Sequence, residues 1–295
     1  MKNKGIVLAG GKGTRLYPSN IVNSKQLLPV YNKPMIYYSL STLMLAGVKD
    51  ILIISSNEYL PIYEKLFGDG SKLGILISYE TQEEANGIAE ALKIGKKFID
   101  DSNVYLILGD NIFYGSGMQD YFNKINDDGE SAYVFGTYVS NPKSFGIISN
   151  ENNKFLIEEK PSNPKSNIAV TGLYYYPNKS LKYVDELSPS ARNELEITDL
   201  NNILISKDML KLIEFGRGYA WFDCGNPSSL LEASTFIRTV ENIQGIKIGC
   251  IEEIALRKGF ISNSQLEDII ENLPKSEYKD YLNTILVWKT LKKLP

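Results

Sequence analysis

The segment GIVLAGGKGTRL (residues 5–16) determines the fold. Its first half, GIVLA, is a short continuous apolar run, which is typical of a strand buried on both faces of a parallel sheet. Three glycines follow at once: Gly10, Gly11 and Gly13. Glycine lets backbone N–H groups turn inward and approach phosphate closely, so the segment predicts a strand that enters a phosphate-binding loop. A plain tight turn is the alternative.

The spacing of these glycines fits neither of two common nucleotide-binding patterns. The G-x-x-x-x-G-K-[ST] spacing of P-loop proteins does not occur here. In the dinucleotide-binding pattern G-x-G-x-x-G, Leu16 fills the third glycine position. That pattern also requires an acidic residue about 20 positions later for the ribose, whereas the first acidic residue of the chain is Asp50. A dehydrogenase is therefore disfavoured.

Strand and helix patterns alternate over the first half of the chain. This alternation predicts an α/β fold with a Rossmann-like, mostly parallel sheet flanked by helices. The predicted strands are 5–9, 51–55, 75–79 and 104–108, and the predicted helices are 34–46, 59–67 and 87–99.

The second half is richer in strands and ends in helices. After Gly245 only helical patterns remain, which divides the chain into one α/β domain (1–244) and a helical C-terminal segment (245–295). The predicted strands are 132–139, 146–149, 155–159 and 170–176, and the predicted helices before Gly245 are 195–206 and 228–240.

Histidine is absent from the 295 residues, and this narrows the possible chemistry. No Ser-His-Asp or Cys-His arrangement can form within one chain. Two cysteines, Cys224 and Cys250, are too few for a structural zinc site or a disulfide scaffold. The groups that remain available for catalysis are carboxylates, lysines, arginines, backbone dipoles and metals held by oxygen. Phosphoryl or nucleotidyl transfer, in which positioning and charge do most of the work, is the chemistry that this set serves best.

Positive charge is concentrated at the start of the chain. Residues 1–49 hold seven Lys and Arg side chains, Lys12 among them, and no Asp or Glu, although the net charge is −3. A basic, glycine-rich opening on an acidic protein predicts a local anion site, whereas a nucleic-acid surface would be broader and more basic. A run of solvated lysines is the alternative.

Membrane and secretion signals are not found. No apolar stretch approaches the roughly 18 residues that span a bilayer, and the first apolar run is too short for a secretion signal. We therefore expect a cytoplasmic protein without nucleic-acid or membrane partners.

The runs LAGGKGTRLYP (8–18) and SKQLLPVYNKPMIYYSLSTLMLAG (24–47) resemble the sugar-1-phosphate nucleotidylyltransferases. The resemblance extends over nearly the whole chain. It continues in VYLILGDNIFYG (104–115), IEEKP (157–161), VTGLYYYP (170–177), ARNELEITDLN (191–201), GRGYAWFDCG (216–225) and EEIALRKGFI (252–261).

The resemblance implies transfer of a thymidylyl group from dTTP to α-D-glucose 1-phosphate, which gives dTDP-glucose and pyrophosphate. The sugar phosphate would attack the α-phosphorus in line, without a covalent enzyme intermediate. Residues 1–130 would mainly bind the nucleotide, and residues 131–227 mainly the sugar. A related transferase that uses UTP or another hexose 1-phosphate is the alternative.

The family motifs place the nucleotide on the glycine loop. Arg15 would stabilise charge on the α-phosphate and on the departing pyrophosphate. Gln82 has an amide donor and acceptor that match O4 and N3–H of thymine or uracil, which disfavours cytosine but does not separate dTTP from UTP. The implied nucleotide-binding residues are Gly10, Gly11, Gly13, Thr14, Arg15, Lys25, Gln26, Gln82 and Gly87.

The same resemblance implies a sugar-phosphate pocket. Glu159 would accept hydrogen bonds from glucose hydroxyls, and Lys160 would neutralise the sugar phosphate. Trp221 would pack beside Asp223. The implied pocket residues are Asn111, Gly146, Glu159, Lys160, Val170, Gly172 and Tyr174.

Two aspartates are the candidates for a metal site. Asp110 ends the predicted strand 104–108, and ligands of open α/β sheets gather at the carboxyl ends of strands. Together with Asp223 it would hold Mg²⁺ through oxygen ligands, and the implied catalytic residues are Arg15, Asp110, Lys160 and Asp223. A helix cap or Asx turn is the alternative for Asp110. A non-catalytic sugar-nucleotide sensor is a third interpretation of the chain, but it would be expected to lose these four residues.

The chain departs from the family pattern in three places. Phe145 stands where a tyrosine is common and Ser116 where a histidine is common, and Cys224-Gly225-Asn226-Pro227 replaces the Gly-Thr or Gly-Thr-His segment that is common after the second metal aspartate. These differences bear on the identity of the sugar more than on the type of reaction. We expect Cys224 to be a small buried residue.

The resemblance also implies a homotetramer. A second nucleotide-sugar site for end-product inhibition would lie at a subunit interface. Arg217, Gly218 and the segment IEEIALRKG (251–259) would contribute to it.

Overall fold

The computed structural model describes residues 2–11, 13–125, 129–151 and 154–291, so Lys12 of the basic opening lies outside the described residues. The strands are β1 (Asn3–Leu8), β2 (Pro29–Val30), β3 (Lys33–Pro34), β4 (Asp50–Ser55), β5 (Leu76–Thr81), β6 (Asn103–Leu108), β7 (Asn111–Tyr114), β8 (Ala132–Tyr138), β9 (Gly146–Glu151), β10 (Lys154–Glu159), β11 (Ile168–Tyr176), β12 (Leu210–Glu214) and β13 (Ala220–Asp223). The helices are α1 (Ile36–Leu45), α2 (Leu60–Phe67), α3 (Glu90–Ile94), α4 (Lys96–Ile99), α5 (Met118–Asn123), α6 (Ile197–Ser206), α7 (Pro227–Gln244), α8 (Ile251–Arg257), α9 (Asn263–Glu271) and α10 (Glu277–Leu291).

Within the described ranges, one nine-stranded sheet forms the centre of the fold. Its first half is parallel, because β1 lies between β4 and β6 and β5 pairs with β4 in the same direction. The second half adds antiparallel pairs, β11 with β6, β8 and β9, and β9 with β10, while β12 is parallel to β8. The predicted α/β class, with a mostly parallel Rossmann-like sheet and flanking helices, is confirmed.

Alternating side chains of β1 face two different helical layers. Val7 belongs to the apolar cluster that also contains residues of α1 and of the C-terminal helices α8, α9 and α10. Ile6 and Leu8 point the other way, into the layer that holds α3, α4 and α6. A strand buried on both faces needs this continuous apolar run, and burying each such side chain contributes about 1.5–3 kcal/mol.

Helix α7 covers a third, smaller apolar cluster beside the sheet. Ala233 and Ile237 of α7 pack with Met35, Ile112 and Cys224. Its N-terminus is fixed by a capping box, in which the Ser229 backbone N–H donates to Asn226 Oδ1 (3.0 Å) and Ser229 Oγ accepts from the Asn226 N–H (3.3 Å). Because Asn226 follows Asp223 by three residues, this cap fixes the end of strand β13.

The C-terminal helices dock against the chain itself. Tyr278 and Tyr281 of α10 donate hydrogen bonds to Glu252 and Glu253 of α8, each at 2.5 Å. Leu282 of α10 is fully buried. In the part of the chain that the structure describes, no helix has the length and apolar character to cross a membrane.

The predicted helix 87–99 is wrong as a single helix. Gly95 separates α3 from α4, and the segment before Glu90 is held in another conformation. The Leu195 N–H donates to Asn86 O (2.6 Å), and the Ala89 N–H donates to Leu195 O (3.2 Å). Because Asn86 and Ala89 bond through their backbone groups to Leu195 of another segment, residues 86–89 do not form a helical turn. Elements β2, β3, β7, α5, β12 and β13 were not predicted.

Candidate active site

The glycine loop after β1 is held by both neighbouring strands. The Ala9 N–H donates to Ile54 O (2.7 Å), and the Gly109 N–H donates to Leu8 O (2.9 Å). Gly11 and Gly13 then adopt φ values of 100° and 56°, in the left-handed region that favours glycine. A short 3₁₀ turn, Thr14–Leu16, follows and leaves Thr14 and Arg15 exposed. The glycines are therefore required by the backbone of this loop.

Gln26 supports the loop from inside the protein. Its side chain is 2% exposed, and Nε2 donates to Gly10 O (3.1 Å). Ser24 Oγ donates to Gln26 Oε1 (2.7 Å) and also contacts the Tyr63 hydroxyl (2.8 Å). These contacts fix the position of Gly10 relative to the segment that carries Lys25.

Lys25 and Asp110 form an ion pair at the carboxyl end of β6. Lys25 Nζ donates to Asp110 Oδ2, and Asn111 Nδ2 donates to Asp110 Oδ1 (2.9 Å). Burial disfavours the charged carboxylate, but the charge and hydrogen bond of Lys25 outweigh burial and lower the pKa of Asp110. For the same reason the pKa of Lys25 is raised, although burial opposes that shift.

Asp223 lies beside this pair. Strand β13 is antiparallel to β7 with Asp223 opposite Asn111, and the Cys224 N–H donates to Asp110 O (3.0 Å). Burial and then the Asp110 charge raise the pKa of Asp223 to about 6, against the opposing charges of Lys25 and Arg15. Two partly buried carboxylates thus lie close together, which favours a bound cation.

Ten of the predicted site residues line one cavity of about 210 Å³. The cavity lies where β6, β11, β10 and β13 bring their ends together. Trp221 and Phe145 also line it, with ring centroids 5.0 Å apart. The predicted residues in its wall are Arg15, Asp110, Asn111, Gly146, Glu159, Lys160, Val170, Gly172, Tyr174 and Asp223.

Asn111 is fixed at the floor of this cavity. Its Oδ1 accepts from the Gly172 N–H (2.9 Å) and from Trp221 Nε1 (2.6 Å). A Cβ built on Gly172 would lie 2.6 Å from Asn111 Oδ1, far inside a van der Waals contact. Glycine at position 172 therefore permits the close approach of β11 to the Asn111 amide.

Glu159 and Lys160 form the opposite wall. Thr198 Oγ1 donates to Glu159 Oε2 (2.8 Å), and Lys160 Nζ lies 3.4 Å from Glu159 Oε1. Lys160 has a φ of 45°, and its N–H donates to Phe145 O (3.0 Å). Gly146 leaves room for the carboxylate, since a Cβ there would lie 3.3 Å from Glu159 Oε2.

A second cavity, of about 260 Å³, lies on the other side of the ion pair. Gly11, Lys25 and Gln82 line it, so Lys25 faces this cavity while Asp110 faces the first. Gln82 follows β5 at the carboxyl end of the parallel sheet and is 6% exposed. Gly87, with φ of 107°, turns the next segment toward it. Two cavities therefore meet at one pair of opposite charges.

The sequence did not identify several residues that line these two cavities. The family resemblance covers the segment 191–201 but assigns no role to a residue in it, although Thr198 and Asn201 line the first cavity. Ser144 also lines it, and Asn20, Ser56 and Tyr59 line the second. Polar residues of turns and first helical turns are common everywhere, so the sequence carries little signal for them. Thr198 lies in the first turn of α6, and this position was the strongest sign in the sequence that its side chain could face the cavity.

The remaining predicted residues lie as follows. Arg217 lines another cavity, of about 560 Å³, with Phe215 and Tyr219, and Gly218 beside it has φ of 84°. Cys224 is fully buried, and burial raises the pKa of its thiol, as expected for an inert core residue.

Three comparisons relate this chain to known proteins. The family model described as nucleotidyl transferase matches residues 4–240. The chain is 50% identical over 285 residues to a glucose-1-phosphate thymidylyltransferase of Neisseria meningitidis, covering 96% of this chain and 99% of the relative. A protein of the same name from Mycobacterium tuberculosis is 45% identical, with the same coverage.

Solved structures agree in fold. A Bacillus anthracis protein, provisionally named a glucose-1-phosphate thymidylyltransferase and solved with sucrose, superposes with a TM-score of 0.74 at 40% identity, over 80% of this chain and 95% of that chain. A UDP-glucose pyrophosphorylase with UDP-glucose gives a TM-score of 0.71 at 22% identity, over 81% of this chain and 100% of that chain. The second likeness concerns the fold alone.

Proposed function

The chain belongs to the nucleotidyl transferase family, and we propose that it transfers a thymidylyl group from dTTP to α-D-glucose 1-phosphate, giving dTDP-glucose and pyrophosphate. One observation carries the proposal: the two cavities meet at the Lys25–Asp110 ion pair. Two anionic substrates that enter from opposite sides would meet beside fixed positive charge. The names of the full-length relatives support this choice of substrates.

In the proposed reaction, an oxygen of the sugar phosphate attacks the α-phosphorus of dTTP. The new P–O bond forms as the bond from the α-phosphorus to the bridging oxygen breaks, and pyrophosphate leaves with that electron pair. No proton donor near neutral pH is needed for either phosphate oxygen. The protein's task is therefore to hold two anions in line and to offset their charge.

Charged side chains around the meeting point suit that task. Arg15 lines the first cavity from the glycine loop, where it would stabilise charge that develops on the α-phosphate and on pyrophosphate. Lys160 lines the same cavity, where it would neutralise the sugar phosphate and aim its oxygen. Lys25 would bind phosphate on the nucleotide side. Gly10, Gly11, Gly13 and Thr14 would wrap the triphosphate with backbone N–H groups.

Asp110 and Asp223 would hold Mg²⁺. The fit rests on the closeness of the two partly buried carboxylates: burial and the Asp110 charge raise the pKa of Asp223 to about 6, and a cation between them would offset that repulsion. Among the described residues no group of three or more acidic or cysteine side chains could hold a metal, so phosphate and water oxygens would complete the ligand set, as is usual for this ion. When bound, Mg²⁺ supplies charge neutralisation and orientation of phosphate oxygens.

The sugar would lie between Glu159 and Asn111. Glu159, held by Thr198, would accept hydrogen bonds from glucose hydroxyls. The Asn111 amide, fixed by Gly172 and Trp221, would bind another hydroxyl. Val170 and Tyr174 complete the wall of the pocket.

The test is pyrophosphate release from purified protein with Mg²⁺ and α-D-glucose 1-phosphate. We expect release with dTTP that depends on both the metal and the sugar phosphate, and formation of dTDP-glucose by mass spectrometry. UTP and a panel of other hexose 1-phosphates are the matched alternatives. A clear preference for UTP would replace the proposed nucleotide, and no release with any nucleotide would overturn the enzymatic function.

We also propose that the protein acts in the cytoplasm as a homotetramer, in which the C-terminal segment 245–295 contributes to contacts between subunits. Leu282 and Ile285 of α10 are already buried within the chain, so contacts between copies would use other residues of that segment. The mass of the particle in light scattering behind size exclusion tests the assembly. A monomer at micromolar concentration would contradict it.

A further inference from the structure

The Gln82 side-chain amide has a fixed orientation at the edge of the nucleotide cavity. Its Nε2 donates to Glu90 Oε2 (2.7 Å) and, at 3.4 Å, to Gly87 O. Its Oε1 lies on the opposite side, against the glycine loop, where a Cβ built on Gly10 would be only 2.7 Å away. The amide therefore uses its hydrogens within the chain and turns its oxygen toward the loop that would bind dTTP, so the expectation that its donor would also pair with O4 of the base is not met here.

The Glu90 carboxylate determines this orientation by its chemistry. An ionised carboxylate only accepts hydrogen bonds, so the group that faces it at 2.7 Å must be the amide NH₂ and not the amide oxygen. Turning the Gln82 amide over would place its oxygen against the Glu90 oxygen. Gln82 is buried, so an unsatisfied NH₂ would also be costly.

Glu90 is itself held in place. Asn86 Nδ2 donates to its other oxygen, Oε1, at 3.1 Å. Asn86 is in turn joined to the segment before α6 by the Leu195 N–H, which donates to Asn86 O (2.6 Å). The direction of the Gln82 amide is therefore fixed before any nucleotide binds.

We propose that Glu90 is a positioning residue that sets base selectivity: it holds Gln82 Oε1 toward the base, so that the site selects a pyrimidine with a donor at N3. This inference rests on the proposed function and deepens it. Thymine and uracil carry N3–H and would donate to Oε1. Cytosine has a lone pair at N3, which would face the amide oxygen without a hydrogen between them.

The consequence is a specific pattern of selectivity. The chain should discriminate strongly against dCTP, because a polar site that is left unpaired rejects an analogue more effectively than an apolar pocket does. Discrimination between dTTP and UTP does not depend on Glu90, because both bases present N3–H. Without the carboxylate, the Gln82 amide can turn over and offer its NH₂ to N3 of cytosine.

The experiment compares kcat/KM for dTTP and for dCTP in the wild type, in Glu90→Gln and in Glu84→Gln. Glutamine at position 90 keeps the size of the side chain but can donate as well as accept, so it no longer dictates the Gln82 orientation. Glu84 is exposed in the same loop, and its substitution removes the same charge. We expect the dTTP to dCTP ratio to fall at least about tenfold in Glu90→Gln and to stay within about twofold of wild type in Glu84→Gln.

A ratio that is unchanged in folded Glu90→Gln would overturn the proposal, because a purely structural role lowers both activities together. If that variant melts far below wild type, Glu90→Ala provides the same comparison. Calorimetric titration with dTTP and with dCTP measures the ratio of the two dissociation constants, and this ratio does not depend on turnover. A wild type that binds dTTP selectively but releases no pyrophosphate would therefore contradict the proposed function and leave the role of Glu90 intact.

Discussion

Replacing Glu241 with glutamine should destabilise the protein more than replacing its ion-pair partner Lys33 with methionine. Both side chains are buried, at 4% and 5% exposure. The Glu241 carboxylate accepts from Lys33 Nζ (3.2 Å), Lys247 Nζ (3.2 Å), Asn32 Nδ2 (2.8 Å) and the Ile248 N–H (2.8 Å). It thereby ties the β2–β3 hairpin, which follows Lys25 in the chain, to the end of α7.

The expected loss of stability in each variant follows from the buried polar groups that the substitution leaves unpaired. Glu241→Gln leaves the Lys33 ammonium buried without a counter-charge, which costs about 3–5 kcal/mol and should lower the melting temperature by roughly 5–10 °C. Lys33→Met removes one of four donors and leaves Glu241 with Lys247, Asn32 and Ile248. The second variant should therefore cost less, about 1–3 kcal/mol.

The pH dependence of Glu241→Gln gives a second check. Burial already lowers the pKa of Lys33, and the Glu241 charge opposes that shift. Without Glu241 the pKa should fall further, so between that pKa and the unfolded value of about 10.4 the unfolded state binds more protons. Stability rises with pH in that window. The stability deficit of Glu241→Gln should shrink from pH 7 to pH 9.5.

Differential scanning calorimetry of the three proteins at both pH values measures these differences. Lys96→Met is the matched control, because Lys96 pairs with Asp185 (3.0 Å) on the exposed surface, where such pairs contribute little. The reasoning fails if Lys33→Met costs as much as Glu241→Gln, or if the deficit of Glu241→Gln does not shrink on raising the pH.

Three further predictions concern the proposed reaction. Asp110→Asn should largely abolish Mg²⁺-dependent pyrophosphate release while the circular dichroism spectrum is kept, and retained turnover would remove Asp110 from the metal site. Lys160→Ala should raise KM for glucose 1-phosphate more than KM for dTTP, and equal losses in steady-state kinetics would contradict its role. Gly172→Ala, whose Cβ would lie 2.6 Å from Asn111 Oδ1, should lower kcat/KM for glucose 1-phosphate by on the order of 10²-fold, and an unchanged value would show that the Asn111 position is not required.

The parallel half of the fold could be predicted from the sequence because its strands are buried on both faces. In a chain of this composition, continuous apolar runs such as those of β1 and β6 indicate strands of that kind. The missed strand β13 (AWFD) is half-buried along its whole length and carries no such run. Strand β7 follows Asp110 directly, where the sequence indicates only a strand end. Strand β7 is buried but only four residues long, and its pairing with β13, over 100 positions away in the chain, cannot be read from either segment alone.

The candidate site, like the fold, could be predicted only in part from the sequence. Glycines and aspartates at strand ends could be found, since their residue types suggest phosphate and metal binding. Contacts between distant segments could not: Lys25 and Asp110 are 85 positions apart, and Glu90 looks like an ordinary acidic residue in the first turn of a helix. Its significance comes only from the Gln82 amide that it faces. Residues that orient other residues have no chemical signature of their own in a sequence.

Strand direction explains why the two proposed substrate sites share one edge of the sheet. Strands β1, β4, β5 and β6 are parallel, so the loops that follow them, with Gly10, Gln82 and Asp110, emerge at the same edge. Strand β11 is antiparallel to β6, with Leu173 opposite Ile107, so the part of β11 that pairs with β6 begins where β6 ends. Gly172, just before that part, therefore reaches the same edge from the other direction. A parallel β11 would carry those residues to the far side of the sheet, away from Asp110. The antiparallel addition is thus what allows the proposed sugar-phosphate pocket to face the proposed nucleotide loop across a single pair of charges.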